Sequence, residues 1–184
     1  MASTRTRYVA LLRGINVGGK NLVPMADLRD AFVDAGFDDV STYIASGNAL
    51  FTSDRPAAKL ESEIEAALER RLGRELVVVV RSQRQLRAVV DKAPAGFLAL
   101  EGTHHRDAVF LKAPLTPAKA MKVVQLRDGV DQAWAGTGVV YFARLSAERQ
   151  RSLMSKIVGT PEYQAMTIRS WSTVTKLRAL LDGA

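Results

Sequence analysis

Val40-Ser41-Thr42-Tyr43-Ile44-Ala45-Ser46-Gly47-Asn48-Ala49-Leu50-Phe51-Thr52 holds two β-rich runs, 40–45 and 49–52, around a Ser-Gly-Asn turn signature. The pattern predicts a β-hairpin. Upstream, Arg7 to Leu12 is a short apolar run suited to a buried strand, and a loop rich in glycine and asparagine follows it. Pro24 sits where helix N-termini tolerate proline, and Leu28, Ala31, Phe32 and Ala35 recur at helical spacing before Gly36 stops the helix. Downstream, Leu60, Ile64, Leu68 and Leu72 mark one face of a long amphipathic helix, and Leu76 to Val80 is an almost pure β-branched strand. Because two strands meet directly at the hairpin, the order through residue 80 is βαββαβ, the ferredoxin-like arrangement.

The same order is expected again. A helix from Gln83 to Lys92 leads to a strand at Ala108 to Lys112, and Thr116 caps a helix with Pro117 at its first position, running to about Leu126. Gln132 to Ala135 and Val139 to Ala143 form a second hairpin around Gly136-Thr137-Gly138, and Ser146 caps another helix through Ile157, with Leu153 and Met154 inward. Thr167 to Trp171 is a short strand or turn, and Val174, Leu177, Leu180 and Leu181 make a final amphipathic helix capped by Ser172 or Thr173. No sequence self-similarity supports a repeat. The fold class is α+β, with two ferredoxin-like halves and a C-terminal helical extension. As domains, the expectation is one domain over 1–184, with subdomains 1–80 and 81–160 and an extension 161–184.

Composition bounds the chemistry. The chain has 184 residues, 47% hydrophobic and 24% charged, which is globular rather than disordered. No apolar run approaches the roughly 18 residues of a membrane span, and Met-Ala-Ser-Thr-Arg lacks the apolar core of a signal peptide, so a cytoplasmic location without membrane contact is expected. The absence of cysteine excludes disulfides, thiolate catalysis and sulfur-based zinc sites. His104 and His105 are neighbours, and on a strand they point to opposite faces, a poor geometry for joint chelation. No metal or cofactor is expected. The net charge of +7 is uneven: residues 1–24 hold four basic residues and no acid, whereas residues 25–69 carry ten acids against three bases. Such asymmetry suits an anionic partner, a phosphate-bearing small molecule or nucleic acid.

Gly14-Ile15-Asn16-Val17-Gly18-Gly19-Lys20-Asn21 nearly spells the phosphate-binding pattern GxxxxGK[ST]. Asn21 replaces the magnesium-binding hydroxyl, Pro24 moves the helix start past the motif, and the hairpin is incompatible with the parallel βαβ unit that such loops need. These departures exclude the nucleotide hydrolases of that class. A simpler anion nest remains: Gly14, Gly18 and Gly19 let the backbone approach an anion, Arg13 and Lys20 supply charge, and Asn16 and Asn21 offer amides. Alternatively, the glycines satisfy positive φ and the asparagines bond their own backbone. Tyr43, Ser46 and Asn48 offer hydrogen bonds at the hairpin end, where asparagine and glycine also serve the turn itself. Arg169, Trp171 and Lys176 can grip a phosphate and stack on a base, although a tryptophan before a terminal helix also pins that helix. The acids of residues 61–69 are expected on a solvated helix face, and no catalytic constellation is legible.

The motifs Leu11-Leu12-Arg13-Gly14-Ile15-Asn16-Val17-Gly18-Gly19-Lys20-Asn21, Thr42-Tyr43-Ile44 with Ser46-Gly47-Asn48, and Thr167-Ile168-Arg169 with Trp171, Thr173-Val174 and Lys176-Leu177 resemble those of the bacterial domain of unknown function 1697 family (DUF1697). The likeness runs nearly end to end. It implies two ferredoxin-like subdomains with a C-terminal extension and no established activity. The family usually carries Asn where this chain has Ser170, a change that matters for a ligand contact and is neutral for a helix cap. The leading expectation is a binding module for a phosphate-bearing ligand, nucleotide or RNA. The rivals are an enzyme acting on a small anionic metabolite, with Tyr43, Lys20 or Lys176 as acid or base, and a structural or oligomer-forming protein.

Overall fold

The computed structural model describes residues 5–19 and 21–183, and the chain divides into two compact units: residues 1–86 with 177–184, and residues 87–176. In unit 1 the apolar run becomes β1 (Thr6–Leu12). It is followed by α1 (Met25–Asp34), β2 (Asp38–Tyr43), β3 (Asn48–Ser53), α2 (Ala57–Leu72) and β4 (Val78–Ser82). The sheet order is β2-β3-β1-β4 with every neighbour antiparallel, as the hairpin reading requires. One sheet face carries Tyr8, Ala10, Leu12 and Phe51, and the apolar stripes of α1 and α2 (Leu28, Phe32, Leu60, Ile64, Leu68) close over it. Phe51 is the centre of that core, with ring centroids 4.8 Å from Phe37 and 5.4 Å from Phe32.

Glu61 and Glu65 are not merely solvated. Four residues apart on α2, they match the two-residue step of β4, and their Oε1 atoms accept the N–H groups of Val80 (3.0 Å) and Val78 (2.8 Å). Helical spacing marked the polar face of α2 but could not show that an outer strand lay beside it.

Unit 2 contains most of α3 (Gln83–Asp91), then α4 (Ala95–Leu98), β5 (His104–Leu111), α5 (Pro117–Val123), β6 (Asp131–Gly136), β7 (Val139–Leu145) and β8 (Met166–Ser170), with the first part of α6 (Trp171–Asp182). Its sheet order, β6-β7-β5-β8, repeats that of unit 1. Thr116 caps α5 as expected, accepting the Lys119 N–H at 3.3 Å, and the helix stops at Val123 rather than near Leu126. The helix expected from Ser146 to Ile157 does not form. Three short 3-10 turns, Ser146–Arg151, Met154–Gly159 and Pro161–Ala165, replace it. Side chains take the amide hydrogens that an α-helix would use: Asp131 Oδ2 accepts from Leu153 at 2.8 Å and Ser152 Oγ from Met154 at 3.1 Å. Met154 is buried as expected, whereas Leu153 is half-buried. Val109, Leu111, Val140 and Phe142 pack with Ala120, Met154 and Ile157 on one sheet face. Around Phe97 gather Trp134, Tyr141 and Trp171, with centroids 5.0–5.9 Å away.

The repeat that escapes sequence comparison is plain in the hydrogen bonds. Gly47 O accepts from Leu12 N at 2.9 Å, and Gly138 O from Leu111 N at 3.0 Å. Both fourth strands end in Arg-Ser and pass directly into a helix. Arg81 and Arg169 each donate NH1 to the preceding carbonyl, at 2.8 and 2.9 Å. Ser82 and Ser170 then cap α3 and α6, accepting from Gln85 N (3.2 Å) and Thr173 N (3.3 Å). The cap of α6 is therefore Ser170, not Ser172 or Thr173, because the strand runs into the helix without a loop. Since asparagine and serine are equivalent N-caps, Ser170→Asn should leave stability unchanged. Ser170→Ala should cost about 1 kcal/mol, read from urea denaturation midpoints.

Candidate functional site

The glycine-rich loop of unit 1 is a clamp. Asn16, at φ 54°, donates Nδ2 to Val23 O (3.0 Å) and Ala45 O (2.7 Å), while its Oδ1 accepts from Val23 N (2.8 Å). Asn21, at φ 52°, donates Nδ2 to Gly14 O at 3.1 Å. The loop is thereby tied to itself and to the hairpin turn. Ile15, fully buried, lies on Gly47, where a Cβ would come within 2.7 Å of its side chain. Asn48 is also fully buried, and its Nδ2 donates to Tyr43 O (2.9 Å) and Ser46 Oγ (3.1 Å). The two motifs that sequence reading singled out thus join through Ile15, Asn16, Ala45 and Gly47. What this clamp leaves on the surface is Gly14, Val17, Gly18 and Gly19, beside a half-buried Arg13. α1 begins at Met25 after Pro24, so no helix N-terminus crowns the loop. Lys20 lies outside the described residues.

Arg169, Trp171 and Lys176 belong to unit 2. Arg169 is buried on β8, and burial lowers its guanidinium pKa to about 10. Trp171 packs edge-on against Phe97 (5.0 Å) and Tyr141 (6.0 Å), fastening the start of α6 to the sheet. Lys176 is exposed. Burial likewise pushes the Tyr141 phenol up to about 12, and its hydroxyl donates to Val89 O at 2.7 Å.

Sequence reading missed a second cluster. At the start of β5, His105 and Asp107 share a face two residues apart, and Arg144 on β7 is the cross-strand partner of His105. Asp107 is buried. Its Oδ1 lies 3.1 Å from His105 Nε2, and its Oδ2 accepts from Arg144 NH2 at 3.2 Å. Burial raises the Asp107 pKa above the ordinary carboxylate range, and the charges of His105, Arg144 and Arg149 work against that rise. A cleft of about 680 Å³ lined by Val90, Leu98, Trp171, Ser172 and Thr175, among others, takes only His105 from this cluster, whereas Arg144 and Arg149 line a separate one of about 470 Å³. The alternation His105-x-Asp107 on a predicted strand was the available signal. That strand was expected to begin only at Ala108, which left both residues out of it.

Two βαββαβ-ordered antiparallel sheets, one with its second helix broken into 3-10 turns, define a double ferredoxin-like α+β protein. The chain belongs to the family described as "Protein of unknown function (DUF1697)", which matches residues 5–141 and so includes both clamp motifs. It is similar to a solved structure, the conserved bacterial protein SP0830 from Streptococcus pneumoniae. The two share 28% sequence identity and a TM-score of 0.81, over 96% of this chain and 99% of that one. Comparison with curated proteins gives no match. Among the described residues, no helix is long and apolar enough to cross a membrane.

Proposed function

We propose that the protein is a binding module for a phosphate-bearing ligand, a nucleotide or RNA, and that the clamped glycine loop makes the contact. One observation carries this reading. A methyl group placed on Gly14, Gly18 or Gly19 would meet nothing within 4 Å, although all three lie at positive φ (57–73°). These glycines fill no packing constraint of their own and present bare backbone outward. Asn16 and Asn21 hold that backbone and tie it to the hairpin turn, which Asn48 braces in its turn, so less conformational entropy is lost on binding. Arg13 and Lys20 flank it with positive charge, in a stretch without acids from residue 1 to residue 24.

The test is a titration with ATP and with a single-stranded RNA oligonucleotide. If Arg13 and Lys20 each neutralise one phosphate, RNA affinity should fall roughly sevenfold between about 50 and about 200 mM salt, and Arg13→Ala should about halve the logarithmic salt slope. Failure of both ligands to bind at the lower salt would end the reading.

A further inference from the structure

The smaller cleft of unit 2, about 470 Å³, is lined by Arg144, Arg149, Gln150, Ser152, Met154 and Ser155. None of the six is acidic. Arg144 shares the sheet face of His105 and Asp107, and the buried Asp107 fixes it, accepting from NH2 at 3.2 Å. Its buried Nε has no acceptor among the described residues. Arg149, in the first 3-10 turn, is exposed, and among the described residues no hydrogen bond or close ion pair engages its side chain, although its charge reaches Asp107. Ser152 Oγ accepts from Met154 N at 3.1 Å and keeps its own hydrogen to donate. Ser155 is exposed. The nearby carboxylates are committed elsewhere: Asp107 to Arg144 and His105, Asp131 Oδ2 to the N–H groups of Arg127 and Leu153, and Glu148 to Arg151. The cleft is therefore a set of donors around an uncommitted positive charge. The broken helix supplies the arrangement: Arg149, Ser152 and Ser155 stand three residues apart, the repeat of 3-10 structure, and the turns that replace the expected α-helix bring all three to one cleft.

We propose that this cleft binds a phosphate group, held by the guanidinium groups of Arg149 and Arg144 and by the hydroxyls of Ser152 and Ser155. Guanidinium donors match phosphate oxygens, and a tetrahedral anion has acceptors for donors arriving from several directions, where a carboxylate has two oxygens. Asp107 is the positioning residue, because it fixes Arg144. Free phosphate and a phosphate monoester share this chemistry. The site belongs to unit 2 and does not rest on the reading of the glycine loop.

Proton–nitrogen NMR of the full chain, titrated with inorganic phosphate, phenyl phosphate and benzoate at about pH 8, where phosphate monoesters are dianionic, tests this. Phosphate or phenyl phosphate should shift the backbone amide signals of residues 149–155, and the tighter of the two tells free anion from ester. Benzoate should bind those residues about tenfold more weakly than phenyl phosphate. Arg149→Gln, at an exposed side chain with no bond to lose, should weaken phosphate affinity at residues 149–155 about tenfold or more. Arg151→Gln removes an equal charge from the same turn but not from the cleft lining, and should change that affinity less than about threefold. Unmoved signals at residues 149–155 with both phosphates, benzoate bound as tightly as phenyl phosphate, or equal losses in Arg149→Gln and Arg151→Gln overturns the proposal.

Discussion

Gly47→Ala should destabilise the protein by about 3 kcal/mol, the sum of two costs that separate cleanly. Gly47 lies at φ 84°, and placing an L-residue in the left-handed region costs about 1–2 kcal/mol. The new methyl would also meet Ile15 Cδ1 at 2.7 Å and Leu12 Cβ at 3.0 Å, inside a core where both side chains are fully buried. Overpacking of that kind adds about 1–3 kcal/mol. Gly14→Ala supplies the control, because Gly14 lies at φ 65° with nothing near its would-be methyl. It should show the backbone cost alone. Urea denaturation of both variants decides the matter: equal losses would mean that Ile15 does not seat on the turn. Shortening Ile15 to Ala in the Gly47→Ala background should recover part of the loss, a coupling that a double-mutant cycle measures. RNA titration of the same variants then asks whether the clamp sets the shape of the loop's outer surface.

Phe97→Ala is the larger single loss, about 3–5 kcal/mol. Phe97 comes from the one-turn helix α4, yet it is fully buried and lies 5.3 Å from Tyr141, 5.0 Å from Trp171 and 5.9 Å from Trp134. Removing the ring takes an edge-on partner from Trp171 and leaves a void beside Arg106 at the cleft wall. The variant should also change the near-ultraviolet circular dichroism of its tryptophans before global unfolding begins. A loss below about 1 kcal/mol would show that neighbouring side chains collapse into the space, contrary to the rigid packing expected of cores.

Sequence patterning reached the α+β class and the strand order of unit 1, because that unit obeys local rules. Its hairpin, its helix-stopping Gly36 and its amphipathic α2 each follow from spacing. Unit 2 obeys them less well. Between Ser146 and Ile157 the apolar spacing is helical, but Asp131, far away in sequence, captures the Leu153 amide. A competition between a local ladder and a distant carboxylate is invisible to periodicity. The start of β5 was missed for a related reason. His104 and His105 fit a turn as well as a strand start, and the four polar residues 104–107 form strand because Leu145, Arg144, Ala143 and Phe142 on β7 pair with them. At the glycine loop the residues were legible and their division of labour was not. Both roles offered for the asparagines use the same amide group, and only the positions of Val23, Ala45 and Gly14 show where those amides point.

The two carboxylates that α2 lends to β4 bear on how copies of this protein meet. An outermost strand ordinarily exposes a row of backbone donors on which a foreign strand can template itself. On β4 the donors of Val78 and Val80 are occupied by Glu65 and Glu61. At the other margin of the sheet, β2 breaks register between Asp38 and Ser41, with Asp39 at φ 51°. Neither border of unit 1 is a straight ribbon of open donors, an arrangement that works against sheet growth from chain to chain. Replacing both glutamates would remove that protection while leaving the glycine loop's own bonds untouched.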